Sequence, residues 1–282
     1  MSLPSRLVLT LTVAALLPMA PAIAADYDPP IVVDEAQPEY MPVEVGSGWY
    51  LRGDVGYAIS SNIGNYSYRT FSVPGPVYGT SDFLNERLKT DFSFGGGVGY
   101  RFNEWFRADA TVEGFRAKFS ANTASATPCL PTAPYAGTTC ASDDSATMSA
   151  VSLMANGYVD LGTYVGLTPY VGAGAGYSYV SWSNLTNQSY CVGATCPATP
   201  IPVVQHGGEK DWRFTYALMA GVAYDVTSNM KLDVGYKYSH MNGGDMFRWD
   251  AGSAGAGATG IQGFDSDISK HEIKVGLRYE IW

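Results

Sequence analysis

Residues 167–179 read LTPYVGAGAGYSY, with glycine at positions 172, 174 and 176. A phosphate cradle of the dinucleotide type needs G-x-G-x-x-G after a strand and at the start of a helix. The spacing here is G-x-G-x-G, a period of two. All three glycines therefore fall on one face of a continuing strand, and Val171, Ala173, Ala175, Tyr177 and Tyr179 occupy the other. A strand with one face stripped to hydrogen calls for an explanation from its neighbours.

Seven further segments alternate in the same way, at 49–60, 91–102, 105–116, 148–161, 211–226, 230–240 and 270–281. In the last, Ile273, Val275, Leu277, Tyr279 and Ile281 oppose Glu272, Lys274, Gly276, Arg278 and Glu280. The long connections 61–90, 117–147, 180–210 and 241–269 follow every other strand, and the short ones NE, GTYVG and TSN fall between them. Long loops at one end and tight turns at the other predict an all-β, eight-stranded, antiparallel up-and-down barrel.

The distribution of charge decides which face of that barrel is outside. The polar face carries Arg52, Arg101, Arg107, Arg213, Lys231, Lys237, Lys274 and Arg278 against Asp54, Asp91, Asp109, Glu113, Asp160, Asp225, Asp233, Glu272 and Glu280. Near-balanced charge suits mutual pairing in a confined space, and the many glycines of this face suit a lumen only just wide enough for its side chains. On the apolar face, aromatic residues gather at the strand ends. Trp49, Tyr100, Phe102, Phe106 and Tyr224 lie toward the short turns; Tyr57, Phe92, Phe94, Tyr177, Tyr179, Trp212, Phe214, Tyr236 and Tyr238 lie toward the long loops. Two aromatic girdles around an aliphatic band fit a lipid-facing exterior, with Arg116 as the one formal charge of that parity. A soluble barrel with its apolar face inward is the competing reading.

Taken together, GWYLRGDVGY, FGGGVGYRF, LTPYVGAGAGYSY, YALMAGVAYDVTSNMKLDVGYKY and HEIKVGLRYEIW resemble the small outer-membrane β-barrel proteins of the OmpA-transmembrane and OmpX class, in their alphaproteobacterial porin-family branch. The resemblance covers the strands from Gly48 to Trp282. It implies a transmembrane barrel with four extracellular loops and three periplasmic turns, inserted by the barrel assembly machinery of a Gram-negative outer membrane beside lipopolysaccharide. It implies no catalytic site.

The N-terminal residues 1–25 join Arg6 to an apolar run, Leu7 to Leu17, and to small residues at Ala22 and Ala24. This is the layout of a cleaved signal peptide. Residues 26–47, rich in proline and acid, read as a periplasmic leader ahead of the barrel at 48–282. The chain carries a net charge of −9, and this acidity without a basic stripe argues against nucleic acid. Cys129 with Cys140 and Cys191 with Cys196 are the disulfide candidates of an exported chain, although four cysteines allow three connectivities. A zinc site is disfavoured, because no histidine neighbours either pair.

Three histidines limit the scope for catalysis. Ser239 and His240 are adjacent on one strand and so point to opposite faces, which denies them a nucleophile and base geometry. No cofactor, metal or catalytic residue is expected. His240 and His271 at the loop-side rim, with Lys270, are candidates for contact with lipopolysaccharide phosphates. The function expected is structural and surface-displaying, with a lumen plugged by ion pairs; the alternatives are a narrow, weakly selective diffusion pore and a lipid-modifying enzyme. The long loops are where a ligand would bind. Nothing in their composition names one.

Overall fold

A computed structural model of the chain describes residues 48–72, 76–130, 137–198 and 200–281, apart from the side chains at 62, 63 and 91. The expected signal peptide and leader lie outside the described residues. The strands are β1 (Trp49–Ile63), β2 (Tyr66–Ser72), β3 (Val77–Asp82), β4 (Leu84–Arg101), β5 (Phe106–Ser125), β6 (Thr139–Asp160), β7 (Leu167–Trp182), β8 (Leu185–Val192), β9 (Val204–His206), β10 (Lys210–Asp225), β11 (Met230–Arg248) and β12 (Ile261–Glu280). A short helix, α1 (Ala251–Gly255), precedes β12. Every pairing between these strands is antiparallel, and the path β1-β4-β5-β6-β7-β10-β11-β12 returns to β1 through the β1–β12 ladder.

The expectation of eight strands is corrected: one sheet holds twelve. The difference lies in the segments that composition marked as loops. β12 pairs with β1 as far as Ile268 and then with β2 at Asp265, so β2 continues the wall of β1 beyond a break at Gly64 and Asn65. In the same way β6 leaves β7 at Met148 and takes up β8 at Ser145. β3 and β9 are the returning arms of hairpins with β2 and β8.

The wall also rises far above the bilayer. A membrane β-strand needs about 9–11 residues, whereas β6 has 22 and both β5 and β12 have 20. The alternation keeps its period along these strands, but its meaning inverts. On the turn side of β5, Phe106 and Val112 are exposed while Arg107, Asp109 and Glu113 are buried. Three residues on from Val112 the same inward parity holds Phe115, Ala117, Phe119 and Ala121, all buried, and the outward parity holds Arg116 and Lys118. β6 makes the same exchange between Ser152 and Ala150. Where lipid surrounds the wall, apolar side chains face out; where water does, they face in.

The lower band is unambiguous about lipid. Leu51, Val55, Val98, Val112, Leu153, Val171, Leu218, Val234, Val275 and Leu277 are all exposed, between aromatic belts that include Trp49, Phe102, Phe106 and Tyr224 on the turn side and Phe92, Phe94, Tyr177 and Trp212 on the loop side. A continuous apolar belt of this size has no stable place in water. The soluble-barrel reading falls on this observation.

Candidate functional site

The lumen of the lower band is the site that the sequence singles out, and its charges are brought together in small groups. Arg52 donates to Asp54 from Nε at 2.9 Å and from Nη2 at 2.7 Å, and its Nη1 reaches Asp109 Oδ2 at 2.7 Å. Arg107 Nε pairs with Asp160 at 3.1 Å, and Arg278 Nη2 with Asp233 at 3.3 Å. Glu113 accepts hydrogen bonds from Lys237 at 2.9 Å and Lys274 at 2.5 Å, both through Oε2. Arg101 with Glu280 and Lys231 with Asp225 pair at the more open turn-side mouth. Asp91 lies in β4, with its side chain outside the described residues.

Two members of the expected sets sit differently. Arg213 does not join the lower groups: its Nη1 forks onto both oxygens of Asp265, at 2.9 and 2.7 Å, where the wall has left the membrane. Lys270 is not at the outer rim. Alternation turns it opposite to His271, so it is buried, 3.4 Å from Glu113 Oε1 and 2.9 Å from Glu272 Oε1, with its ammonium 3.8 Å from the Phe115 ring centroid. His240 and His271 do face outward, against Tyr216 and Tyr238 with ring centroids 5.0 Å apart in each case.

Tyrosines complete the filling, and the charge count overlooked them. Tyr50, Tyr158 and Tyr170 are buried on the inward parity. The Arg107 guanidinium lies 4.0 Å from the Tyr158 ring centroid and 4.8 Å from that of Tyr170, and the Tyr158 hydroxyl accepts from Arg52 Nη1 at 2.9 Å. Their parity was the available signal.

The glycines of the opening stretch now have their reason, and it differs in part from the expected one. A Cβ on Gly172 would lie 2.5 Å from the Tyr158 ring, and one on Gly221 would lie 2.6 Å from the Tyr170 hydroxyl. At Gly174 the obstacle is the Asn156 side chain, and at Gly176 it is the backbone of Leu153. The glycine face mainly makes room for tyrosine, asparagine and a closely approaching strand; Gly276, beside Asp54, is one that clears space for a charge.

What remains open in the lumen is small. One cavity there has a volume of about 30 Å³, lined by Arg52, Tyr158, Tyr170, Asp233 and Lys274 among others, and another, lined by Phe115 and Ile268 among others, about 10 Å³. Space of this size holds roughly one water. Above it an aromatic cluster closes the loop side. Phe119 is its centre, with ring centroids of Tyr66, Phe83, Trp182 and Phe247 at 4.8, 5.7, 5.8 and 6.1 Å. The interior is largely occluded.

The loop-side walls are tied by two disulfides, Cys129–Cys140 and Cys191–Cys196. Cys140 and Cys191 are register partners of β6 and β8, so both bonds converge on one rung of the sheet. Among the described residues, no group of three or more His, Cys, Asp or Glu side chains is placed to hold a metal ion.

Residues 12–280 match the family model described as the outer membrane protein beta-barrel domain. An uncharacterized protein of Brucella suis is 36% identical over 274 residues, covering 92% of each chain. An opacity protein of Neisseria gonorrhoeae is 22% identical over 220 residues, covering 69% of this chain and 88% of its own. Among solved structures, Neisserial surface protein A aligns with 83% of this chain and 98% of its own, at 17% identity and a TM-score of 0.42.

Proposed function

We propose a role that starts from kinship: the chain belongs to the outer membrane protein beta-barrel domain family, as an integral β-barrel of the Gram-negative outer membrane, and its work is structural and surface-displaying. Membership of this family is consistent with a non-catalytic protein. The barrel anchors a tall, disulfide-tied, β-structured crown that stands in water on the loop side, which we take as the cell exterior. One observation carries this reading. The lumen is filled by paired charges and tyrosines around cavities no larger than about 30 Å³, with an aromatic cluster above them.

The direct test is ion conductance of the refolded protein in a planar bilayer, after a heat-shifted gel band has confirmed folding. Inserted barrels are expected to be silent. Steady openings of uniform size would overturn the occluded reading and make the protein a narrow pore.

As partners we propose outer-membrane lipid, lipopolysaccharide at the loop-side rim and the barrel assembly machinery during insertion. His240 and His271, which face outward beside tyrosines, are the residues offered to lipid headgroups. Lipopolysaccharide content unchanged after both are replaced by alanine would remove them from that role.

A further inference from the structure

The crown holds a further, partly open space, and none of the paired lumen charges lines it. β8 and β9 fold toward β2 and the start of β12, and between them lies a cavity of about 270 Å³. This is near the small end of ligand sites, which run to roughly 300–1,000 Å³. Its apolar walls are Tyr68, Phe83, Leu185, Val204 and Phe247, and three of these, Phe83, Leu185 and Phe247, are at most 5% exposed and belong to the apolar core.

The remaining lining is unusual in its balance of donors and acceptors. Asp144 is 3% exposed and accepts from Ser142 Oγ and Asn187 Nδ2, each at 2.7 Å, which leaves its carboxylate oxygens with further capacity. Asp250 also lines the space, and spends one oxygen on the backbone N–H groups of Gly252 and Ser253. His206 is 7% exposed, and its buried Nδ1 has no hydrogen-bond partner; the same is true of Gln262 Oε1. The Asn187 amide, a donor, is turned onto Asp144. Among the described residues no lysine or arginine contributes to the lining, and His206 is the group there that can carry positive charge.

Buried polar groups without partners are costly, and a protein retains them chiefly where something else satisfies them. Aromatic walls, two carboxylates and the unpartnered Gln262 oxygen define what that something must be. It has an apolar body, it donates hydrogen bonds, and it carries positive charge, which ring faces also favour. We propose that this crown cavity is a binding site for small organic ammonium compounds, in which the apolar body lies between Phe83, Phe247 and Leu185 and the amine is held by Asp144. The site is independent of whether the lumen conducts, and it goes beyond a structural role.

Three probes with one body and different heads separate the possibilities: phenethylammonium, 2-phenylethanol and phenylacetate. Binding to the folded barrel in lipid nanodiscs is read by ligand-observed NMR, with the heat-shifted gel band as the folding control for every variant. The cation is expected to bind most tightly, the alcohol more weakly, and the anion not at all. Asp144→Asn is expected to weaken the cation roughly tenfold, the equivalent of about 1.4 kcal/mol, and to leave the alcohol unchanged. Val204→Phe, which adds bulk to the cavity wall and leaves the carboxylate in the sequence, is expected to abolish both. Equal binding of all three probes, no binding of the cation, or cation binding indifferent to both substitutions would each overturn the proposal.

Discussion

Glu113 offers the sharpest test of whether the lumen is dry. Its carboxylate is shared by Lys237 and Lys274 and approached by Lys270, and the side chains of Glu113, Lys237 and Lys270 are at most 9% exposed, with Lys274 at 17%. Glu113→Gln preserves shape and removes the charge. Lys270 would keep Glu272 at 2.9 Å, while Lys237 and Lys274 would lose the carboxylate that they share. In a dry interior, stripping one partner from a buried ion pair costs about 3–5 kcal/mol. In a water-filled channel the same change would cost about 0–1 kcal/mol, the range of solvated pairs. Urea unfolding of the barrel in lipid vesicles, followed by tryptophan fluorescence, distinguishes these. With a slope of about 3 kcal/mol per molar, at the upper end for small proteins, the dry case moves the midpoint down by at least about 1 M and the wet case by about 0.3 M or less. A shift in the lower range would refute the plugged lumen. Adding Lys237→Met to Glu113→Gln removes a stranded charge as well, and should recover part of the loss if burial is its cause.

Gly176→Ala should impair folding severely, since its Cβ would run into the Leu153 backbone, whereas Gly53→Ala, with nothing within 4 Å, should fold normally; the fraction of heat-shifted protein compares them. In the crown, burial raises the Asp144 carboxyl above its ordinary value. A carboxyl raised in the folded state contributes most below its unfolded value, about 4, and that contribution is lost as pH rises through the folded value. Stability of the wild-type crown, measured by limited proteolysis, should therefore decline upward from about pH 4, and Asp144→Asn should flatten this dependence; parallel profiles for the two proteins would count against it.

The sequence made the membrane half of the molecule legible and concealed the crown. Strands such as 211–226 could be read because lipid outside and charge inside give period-two alternation a strong contrast. That contrast also set a false stop. At Arg116 the outward face ceases to be apolar, which sets the end of the strand expected at 105–116, yet Lys118, Phe119, Ser120 and Ala121 keep alternating in the opposite sense and β5 runs on to Ser125. In the sequence, a change of surroundings looks the same as a change of structure. The lumen charges were legible for the same reason as the strands, but their partners were not. Nothing local to Arg213 points to Asp265, which lies 52 positions away, nor does anything local to Lys237 point to Glu113, 124 positions away. The crown cavity was invisible because its walls come from four connections, each of which reads alone as a polar loop.

β12 serves two structures at once. Its turn-side residues pair with β1 and close the membrane wall, and its first residues pair with β2 and complete the crown, placing Gln262 and Gly263 in the wall of the cavity. It is also the last of the described strands in chain order. A chain in which β1 and β12 have failed to pair therefore lacks both a sealed wall and a finished pocket. Occupancy of the pocket would then report, from outside the cell, that the ring beneath it has closed.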